Sequence, residues 1–519
     1  MPTSPAGTVP RAWLTILRLA LTGRPALALS GLIAVLRGKR LRGWNRLCLA
    51  AAEHPAYYAN WIRVAEAGLL PPPARVAEPG FVGAIILGGD SAATRASLVA
   101  SFGAGLAIFD SSSAIPALNR PTWLLPIRAG DEVSPALGAA LAARLEDCSA
   151  RLVYWDEDRR VHGRRSKPWI KPDWDPLLFA AHDGLVGSCV LRADVLGDEV
   201  VADWSALSLA VAESGPAPLH LPLILTHRGE TRVNASEAAI VSAPPAAISV
   251  IIPTRDRAEL LESCLNGLLT TRFPGEREII VVDNDSREPR TKALFERLKS
   301  VEGVRVIARP GPFNFAALIN TGVASARGDL ICLLNNDVEI TSPGWLEQMA
   351  VLAVREDIGA VGARLLYPDG AIQHAGVALG IGDAAGHVDK GVKPIPGEFA
   401  PWHGETRTVS AVTAACLLVD RTKFDKVGGM DEQTFAVDFN DVDLCLRLAA
   451  RSWRTVYCAQ ASLIHHESRS RGKTHHGAAL ARFEQELSAL RARWDTGTIV
   501  DPHHSPLFRR QSERCLLAF

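Results

Sequence analysis

Between Ile248 and Leu334 short apolar runs alternate with stretches that read as helix. Ile248–Pro253 is apolar but for Ser249, as expected of a strand buried on both faces of a sheet. Glu278–Val282, Val304–Ile307 and Asp329–Leu334 are the next predicted strands. Ala258–Leu269, Arg290–Lys299 and Ala316–Ala326 are the predicted helices. This is a doubly wound α/β pattern, in which ligands bind at the carboxyl ends of the strands.

A second, weaker pattern lies upstream. Val82–Leu87, Gly105–Phe109, Thr122–Pro126, Arg151–Trp155 and Gly187–Leu191 read as strands, with helical stretches such as Pro135–Glu146 between them. Strands alternating with helices imply a mostly parallel sheet. A faint internal repeat links the two regions. Leu333-Leu334-Asn335-Asn336-Asp337-Val338-Glu339 leads to Ser342-Pro343, as Leu124-Leu125-Pro126 leads through Gly130-Asp131-Glu132-Val133 to Ser134-Pro135. Leu207–Val211 and Ile224–His227 echo Leu444–Leu448 and Leu463–His466. The upstream copy has no Asn-Asp pair, and Pro126–Ala129 stands where a metal site needs a carboxylate. It is therefore expected to be structural, or to bind without catalysing. Residues 1–75 read as helices ended by Pro71-Pro72-Pro73, and a small-residue linker ends at Pro244-Pro245. The expected organisation is a helical segment (1–75), a degenerate copy (76–240), a catalytic domain (246–475) and a C-terminal helix and tail (476–519). The helical segment is expected to be removable if it serves only as a contact.

Composition narrows the function. With 519 residues, 48% hydrophobic and 22% charged, the chain is ordinary globular material for two or three domains. Its 56 basic and 56 acidic residues cancel, which argues against a nucleic-acid binder. Nine cysteines lack CxxC pairs and sit in apolar runs such as Leu330–Leu334, so buried free thiols in a reducing, cytoplasmic compartment are expected. Ala26–Leu36 is far short of the ~20 apolar residues of a membrane span. Arg24 and Pro25 before it, with Arg37, Lys39, Arg40 and Arg42 after it, do not make a signal peptide. Such a helix suits an anionic membrane surface, and equally suits packing against the next domain.

The chemistry clusters at strand ends. The first strand ends in Pro253-Thr254-Arg255-Asp256-Arg257 and the second in Asp283-Asn284-Asp285-Ser286. Their carboxylates can accept hydrogen bonds from a base or a ribose, and can also be plain turn formers. Asn335-Asn336-Asp337-Val338-Glu339 ends the fourth strand, where a carboxylate can hold a hard divalent cation against a diphosphate. Asp441 falls in the first turn of a predicted helix, which suits a dipole-favoured acid and also a general base. His465 and His466 follow a strand and suit a further metal ligand. Arg469, Arg471 and Lys473 then suit a grip on a diphosphate, or a solvated loop.

In this order the pieces resemble glycosyltransferase family 2, with its GT-A fold, and especially the rhamnosyltransferase-like enzymes of bacterial O-antigen and surface-polysaccharide assembly. Pro253-Thr254-Arg255-Asp256, Val282–Ser286, Asn314-Phe315-Ala316 with Asn320-Thr321-Gly322, and Leu333–Asp337 carry the resemblance. So do Tyr367–Gly370, Gln373-His374-Ala375-Gly376, Thr413–Cys416, Gly428-Gly429-Met430-Asp431-Glu432, Phe439–Arg447 and His465–Ser468. It implies that Pro253, Thr254, Asp256, Asp283, Asp285, Asn335 and Asn336 hold the donor nucleotide. It implies Asp337 with His465 or His466 as ligands of a divalent metal (Mg²⁺ or Mn²⁺), and Asp441 as the base. His374, Gly428, Gly429 and Asp443 are implied on the acceptor and sugar side. Asn335 replaces the first acid of the family's metal motif, and Asn440 the Glu before its base. Tyr154–Asp158 and Lys171-Pro172-Asp173-Trp174 resemble the N-terminal half of tandem members. The implied fold is thus α/β, two GT-A-like domains in tandem with the first degenerate, behind a helical N-terminal segment.

The implied activity is a metal-dependent, inverting transfer from a nucleotide sugar to a glycan or lipid-linked hydroxyl, with peripheral contact at the inner membrane. A non-catalytic nucleotide- or glycan-binding protein is the alternative, and it fits the first copy better than the second. A dinucleotide oxidoreductase is disfavoured, because the first strand is followed by Thr-Arg-Asp-Arg and not by a glycine-rich turn.

Overall fold

The computed structural model describes residues 8–72, 81–89, 91–110, 121–146, 148–182, 184–196, 201–229, 246–395, 402–466 and 477–519, and all counts below refer to these residues. The linker before residue 246 and the basic run of Arg469, Arg471 and Lys473 lie outside them. The chain divides into two compact units. One is Met1–Ala238 with Ser505–Gln511 and Leu516–Phe519, and the other is Ala239–His504 with Ser512–Cys515.

The first unit begins with helices α1 (Thr8–Gly23), α2 (Pro25–Leu36), α3 (Arg40–Ala52) and α4 (Tyr57–Trp61), the last running through a wider turn into α5 (Ala67–Leu69). Its strands are β1 (Val82–Leu87), β2 (Ala107–Phe109), β3 (Trp123–Arg128), β4 (Glu132–Val133), β5 (Leu152–Val161), β6 (Arg164–Trp169), β7 (Cys189–Arg192) and β8 (Leu219–Arg228). Four helices lie among them, α6 (Ala92–Phe102), α7 (Leu137–Leu145), α8 (Pro176–Ala181) and α9 (Trp204–Glu213). The sheet order is β2-β1-β3-β7-β5-β8-β4, with β6 beside β5.

Buried polar bonds fasten the helical segment to this sheet. The Tyr58 hydroxyl donates to Asp158 at 2.6 Å, and Arg165 bridges Asp158 and Glu66, both at 2.6 Å. Tyr57 and Trp61 donate to the Leu517 and Ala518 carbonyls, each at 2.8 Å. Deleting residues 1–70 would strip these partners from a buried carboxylate, so the segment is part of the unit and not a removable appendage.

The second unit carries β9 (Ile248–Thr254), α10 (Ala258–Thr270), β10 (Arg277–Asp283), α11 (Pro289–Leu298), β11 (Val304–Ala308), α12 (Phe315–Ala324), β12 (Leu330–Leu334), β13 (Val338–Glu339) and α13 (Trp345–Ala353). It continues with β14 (Ile358–Leu366), β15 (Ile372–His374), β16 (Val377–Leu379), β17 (Ala385–His387), β18 (Arg407–Val409), β19 (Cys416–Asp420), α14 (Arg421–Lys426), α15 (Asn440–Ala449), β20 (Arg454–His465) and α16 (Ala478–Trp494). The order is β11-β10-β9-β12-β19-β14-β20-β13, and β16 pairs with β17 apart. All seven residues of β9 are buried, the polar Ser249 and Thr254 included, as in a strand covered on both faces. Gly322 lets α12 close onto β9: a Cβ there would lie 2.3 Å from Ile251 Cγ2.

β11, β10, β9 and β12 are mutually parallel, which is the doubly wound half of the sheet. β19 then enters antiparallel to β12, and β14 antiparallel to β19. The first unit repeats this arrangement with one fewer edge strand. β2, β1 and β3 are parallel, β7 reverses, β5 reverses again, β8 runs parallel to β5, and the short β4 closes the edge as β13 does. Each sheet thus has a parallel run on one side and a mixed half on the other, where β5–β8 and β14–β20 are again parallel, so neither sheet is mostly parallel throughout and the internal repeat is a repeat of topology.

One sequence expectation needs correction. β3 runs on through Arg128, so carboxylates do follow it, at Asp131 and Glu132. They are already engaged. Asp131 Oδ1 accepts the Gly229 N–H at 2.9 Å and Oδ2 lies 3.7 Å from Arg228, while Glu132 pairs with Arg160 at 3.2 Å. Arg228 also binds Glu157 at 2.7 Å, and Lys171 binds Glu157 at 2.9 Å.

Candidate active site

The topology brings separate chain segments to the carboxyl end of β9. Because β19 runs antiparallel beside β12, the loop entering it meets the loop leaving β12: the Asn335 N–H donates to the Ala415 carbonyl at 3.0 Å. β20 ends opposite β13, so His465 pairs across from Val338 and stands beside Asp337. A cavity of about 830 Å³ opens there, large enough for a nucleotide sugar. Pro253, Thr254, Asp256, Asn335, Asn336, Asp337, Asp441 and His465 all line it.

His465 is held from behind by Gln373. Gln373 Nε2 donates to the His465 carbonyl at 3.3 Å, which turns Gln373 Oε1 toward His465 Nδ1 at 2.6 Å. Nδ1 therefore carries a hydrogen, and Nε2 is the nitrogen turned to the cavity. It lies 3.0 Å from Asp337 Oδ1 and 3.4 Å from Asn335 Nδ2. A carboxylate oxygen and an imidazole nitrogen at this separation are bridged by a proton or a cation, and the pair suits Mg²⁺ or Mn²⁺ with the remaining positions left to phosphate and water. His466 turns away, its Nε2 2.8 Å from Glu339, so His465 is the histidine beside Asp337.

Asp441 opens α15. Its carboxylate accepts the Ala414 N–H at 3.1 Å and the Val442 N–H at 2.8 Å. Burial pushes its pKa up, against the backbone amides of Ala414 and Val442 and the Thr413 side chain. Asp443, one turn-face away, is fully buried and does not line the cavity. It takes Arg447 at 2.7 Å, Arg493 at 2.9 Å and Trp494 Nε1 at 3.0 Å, so its role is to clamp α16 onto α15.

The strand-end acids first build turns. Asp256, in the left-handed region at φ 57°, accepts the Arg287 N–H at 2.6 Å and the Glu288 N–H at 2.8 Å. The Glu288 amide above all holds its carboxyl below the usual range. Asp283 sits opposite Thr254 in the β9–β10 register but binds the Ser286 N–H at 3.0 Å, and Asp285 binds the Gly311 N–H at 2.9 Å. Neither lines the cavity. Asn336 does, donating to Thr254 Oγ1 at 2.8 Å.

Gly428 and Gly429 form a left-handed turn away from the cavity, at φ 80° and 67°. A Cβ on Gly429 would lie 2.8 Å from Asn320 Oδ1. His374 is fully buried and does not line the cavity; it touches two residues that do, Thr413 and His387, the latter a residue that carried no motif in the sequence. Arg482 and Phe483 of α16 also line the cavity unannounced, since a solvent-facing helical Arg has no signature. All nine cysteines are free, seven of them buried.

Residues 249–428 match the sequence family described as glycosyl transferase family 2. An "Uncharacterized protein y4gI" of Sinorhizobium fredii is 34% identical over 69% of this chain and 45% of that protein. "O-antigen biosynthesis protein RfbC" of Myxococcus xanthus is 33% identical over 73% of this chain and 33% of its own length. An N-acetylglucosaminyl-diphospho-decaprenol L-rhamnosyltransferase of Mycobacterium tuberculosis is 26% identical over 38% of this chain and 68% of its own. The chain spans less than half the length of the first two of these relatives.

Proposed function

Because the chain belongs to glycosyltransferase family 2, we propose that its second unit transfers a sugar from a nucleoside-diphosphate sugar to a hydroxyl of a glycan or lipid-linked glycan, with inversion. The observation that carries this reading is His465 Nε2 beside Asp337 Oδ1 at 3.0 Å in a cavity that Asp441 also lines. Mg²⁺ or Mn²⁺ held by Asp337 and His465 would offset charge on the leaving diphosphate. The chain's own residues do the rest. Asp441 accepts the proton of the acceptor hydroxyl as its oxygen bonds to the anomeric carbon and the bond to diphosphate breaks. Thr254 and Asn336, hydrogen-bonded to each other, form the wall nearest the end of β9 for the nucleoside. The named roles of the O-antigen and rhamnosyl relatives support a surface-polysaccharide pathway on the cytoplasmic side, where nine free thiols also belong.

The test is release of nucleoside diphosphate from a panel of UDP-, GDP- and dTDP-sugars. At least one sugar nucleotide should turn over with Mn²⁺, and EDTA or Asp337→Ala should stop it. Turnover undiminished by both would rule out the metal role.

The acceptor-side partner we propose is an anionic membrane surface. Trp13, Leu14, Leu21, Leu29, Ile33 and Leu36 are exposed on α1 and α2, Leu36 by 86%. Residues 1–52 hold eight Lys and Arg and no Asp or Glu. Among the described residues no helix is long and apolar enough to cross a membrane. Arg24 pairs with Glu53 at 2.9 Å, but the segment's charge stays strongly positive, and apolar side chains on such a segment fit the interface of an anionic bilayer. Full-length protein should float with phosphatidylglycerol vesicles and not with phosphatidylcholine vesicles, and Leu29→Glu with Leu36→Glu should release it. Equal flotation of variant and parent would contradict the contact.

A further inference from the structure

His387 on β17 lines the cavity, and behind it His374 on β15 is fully buried. Their Nδ1 atoms are 2.8 Å apart, which requires one hydrogen shared between two lone pairs. The Thr413 N–H donates to His374 Nε2 at 3.4 Å. That nitrogen is therefore the acceptor of the ring, and neutral His374 holds its hydrogen on Nδ1. It gives this hydrogen bond to Nδ1 of His387, so neutral His387 holds its own hydrogen on Nε2. The Nδ1 edge of His387 is turned in toward His374, which leaves the Nε2–H edge for the cavity.

The surroundings keep both rings neutral. Burial lowers His387 to about 3, with Lys390 and His465 adding to it. Burial, then His387, Arg407, His465 and Lys390, hold His374 well below the usual histidine range. The Tyr457 phenol beside His374 is neutral, its pKa raised by burial, and it donates to the His403 carbonyl at 2.6 Å. Glu513 meets the His387 backbone N–H at 3.3 Å, not its ring. The same loop that orients His374 also supplies the Ala414 amide to Asp441 at 3.1 Å, so base and donor share one mount.

We propose that His387 is a sugar-recognition residue whose Nε2–H is a fixed donor to a hydroxyl or ring oxygen of the reacting sugars, and that His374 is the positioning residue that sets its tautomer. The ligand must present an oxygen lone pair, so a cationic or purely N–H-bearing group does not fit. His387 cannot serve as a base, because its one lone pair is taken by His374. The inference rests on the sugar-transfer reading and names a contact within it. The oxygen belongs either to the donor sugar or to the acceptor.

The test uses the full-length chain with ¹⁵N-labelled imidazoles, the two rings assigned by loss of signal in His387→Gln and His374→Gln. From about pH 5 to about pH 8, His387 should show a protonated Nε2 and a bare Nδ1, His374 the reverse, and neither should titrate. Titration of either ring in this range, or the opposite tautomers, overturns the proposal. The second readout is kinetic, with the nucleotide sugar that turns over in Mn²⁺. His387→Leu should lower kcat/KM about three- to tenfold, the range for one neutral hydrogen bond. His387→Gln, which offers an acceptor to His374 and an N–H to the cavity, should restore most of it. A loss already present in donor hydrolysis assigns the oxygen to the donor sugar; a loss only in transfer to a glycan assigns it to the acceptor. No loss in either reaction overturns recognition. If no nucleotide sugar turns over, the transfer reading falls and the ligand class falls with it, whereas the tautomers are read without substrate.

Discussion

Asp441 and Asp443 lie two residues apart on one helical turn, and their surroundings give them opposite work. Burial raises Asp441, so it ionises at a higher pH than an ordinary aspartate near 3.9. A base acts only when ionised. The acid limb of kcat/KM should therefore lie above the usual aspartate range, with the rate rising as pH climbs through the raised pKa and falling below it. Asp441→Asn should remove that limb and cost on the order of 10²–10⁴ in turnover. Asp443 instead holds three donors from Arg447, Arg493 and Trp494. Asp443→Asn should lower the melting temperature and leave the Kd for the nucleotide sugar unchanged; an unchanged melting temperature with lost sugar binding would return Asp443 to the site. The resemblance put both acids in the site, Asp443 on the acceptor and sugar side, and the helix pattern could not correct it, because an acid suits either place near a helix N-terminus. What separates them is Arg493 and Trp494, fifty residues further on. For the same reason His374 was legible as a motif while His387, the ring that meets the cavity, was not.

At the scale of elements, the parallel run from β9 to β12 was legible to within about two residues at each end, because each element is decided by its own apolar period. In the second unit the antiparallel strands β14, β18 and β19 and the short β13, β15 and β17 were not. Two or three residues carry no period, and their pairing is set by distant partners such as His465 opposite Val338. Helix α16 read from sequence only as a C-terminal helix. Its Glu486 accepts the Val437 N–H at 3.3 Å and the Asp438 N–H at 2.6 Å, just ahead of Asp441. Glu486→Ala should strand these two amides, one of them buried. We expect a loss of about 1–3 kcal/mol in urea unfolding, with a weaker turnover, since the entry to α15 loosens. Unfolding and turnover both equal to the parent would show that α16 does not brace the site.

Across the whole molecule, two units share one topology and differ in what lies beside their carboxylates. In the first, arginines of the chain itself stand against Asp131, Glu132 and Glu157. Burial would raise Glu157, but Arg228 and Lys171 bring it to about 2. A cation from solution would have to displace these buried partners, so the first unit should take up no metal. In the second, Asp337 stands against the His465 imidazole and not an arginine. The full chain should therefore hold one donor site, built on Asp337. Titration calorimetry of the parent, Asp337→Ala and Asp441→Asn with the active nucleotide sugar, with and without Mn²⁺, tests this most directly. The account predicts one Mn²⁺-dependent site in the parent, the same site in Asp441→Asn, and none in Asp337→Ala. Binding of equal strength in Asp337→Ala, or in the parent without Mn²⁺, would contradict it.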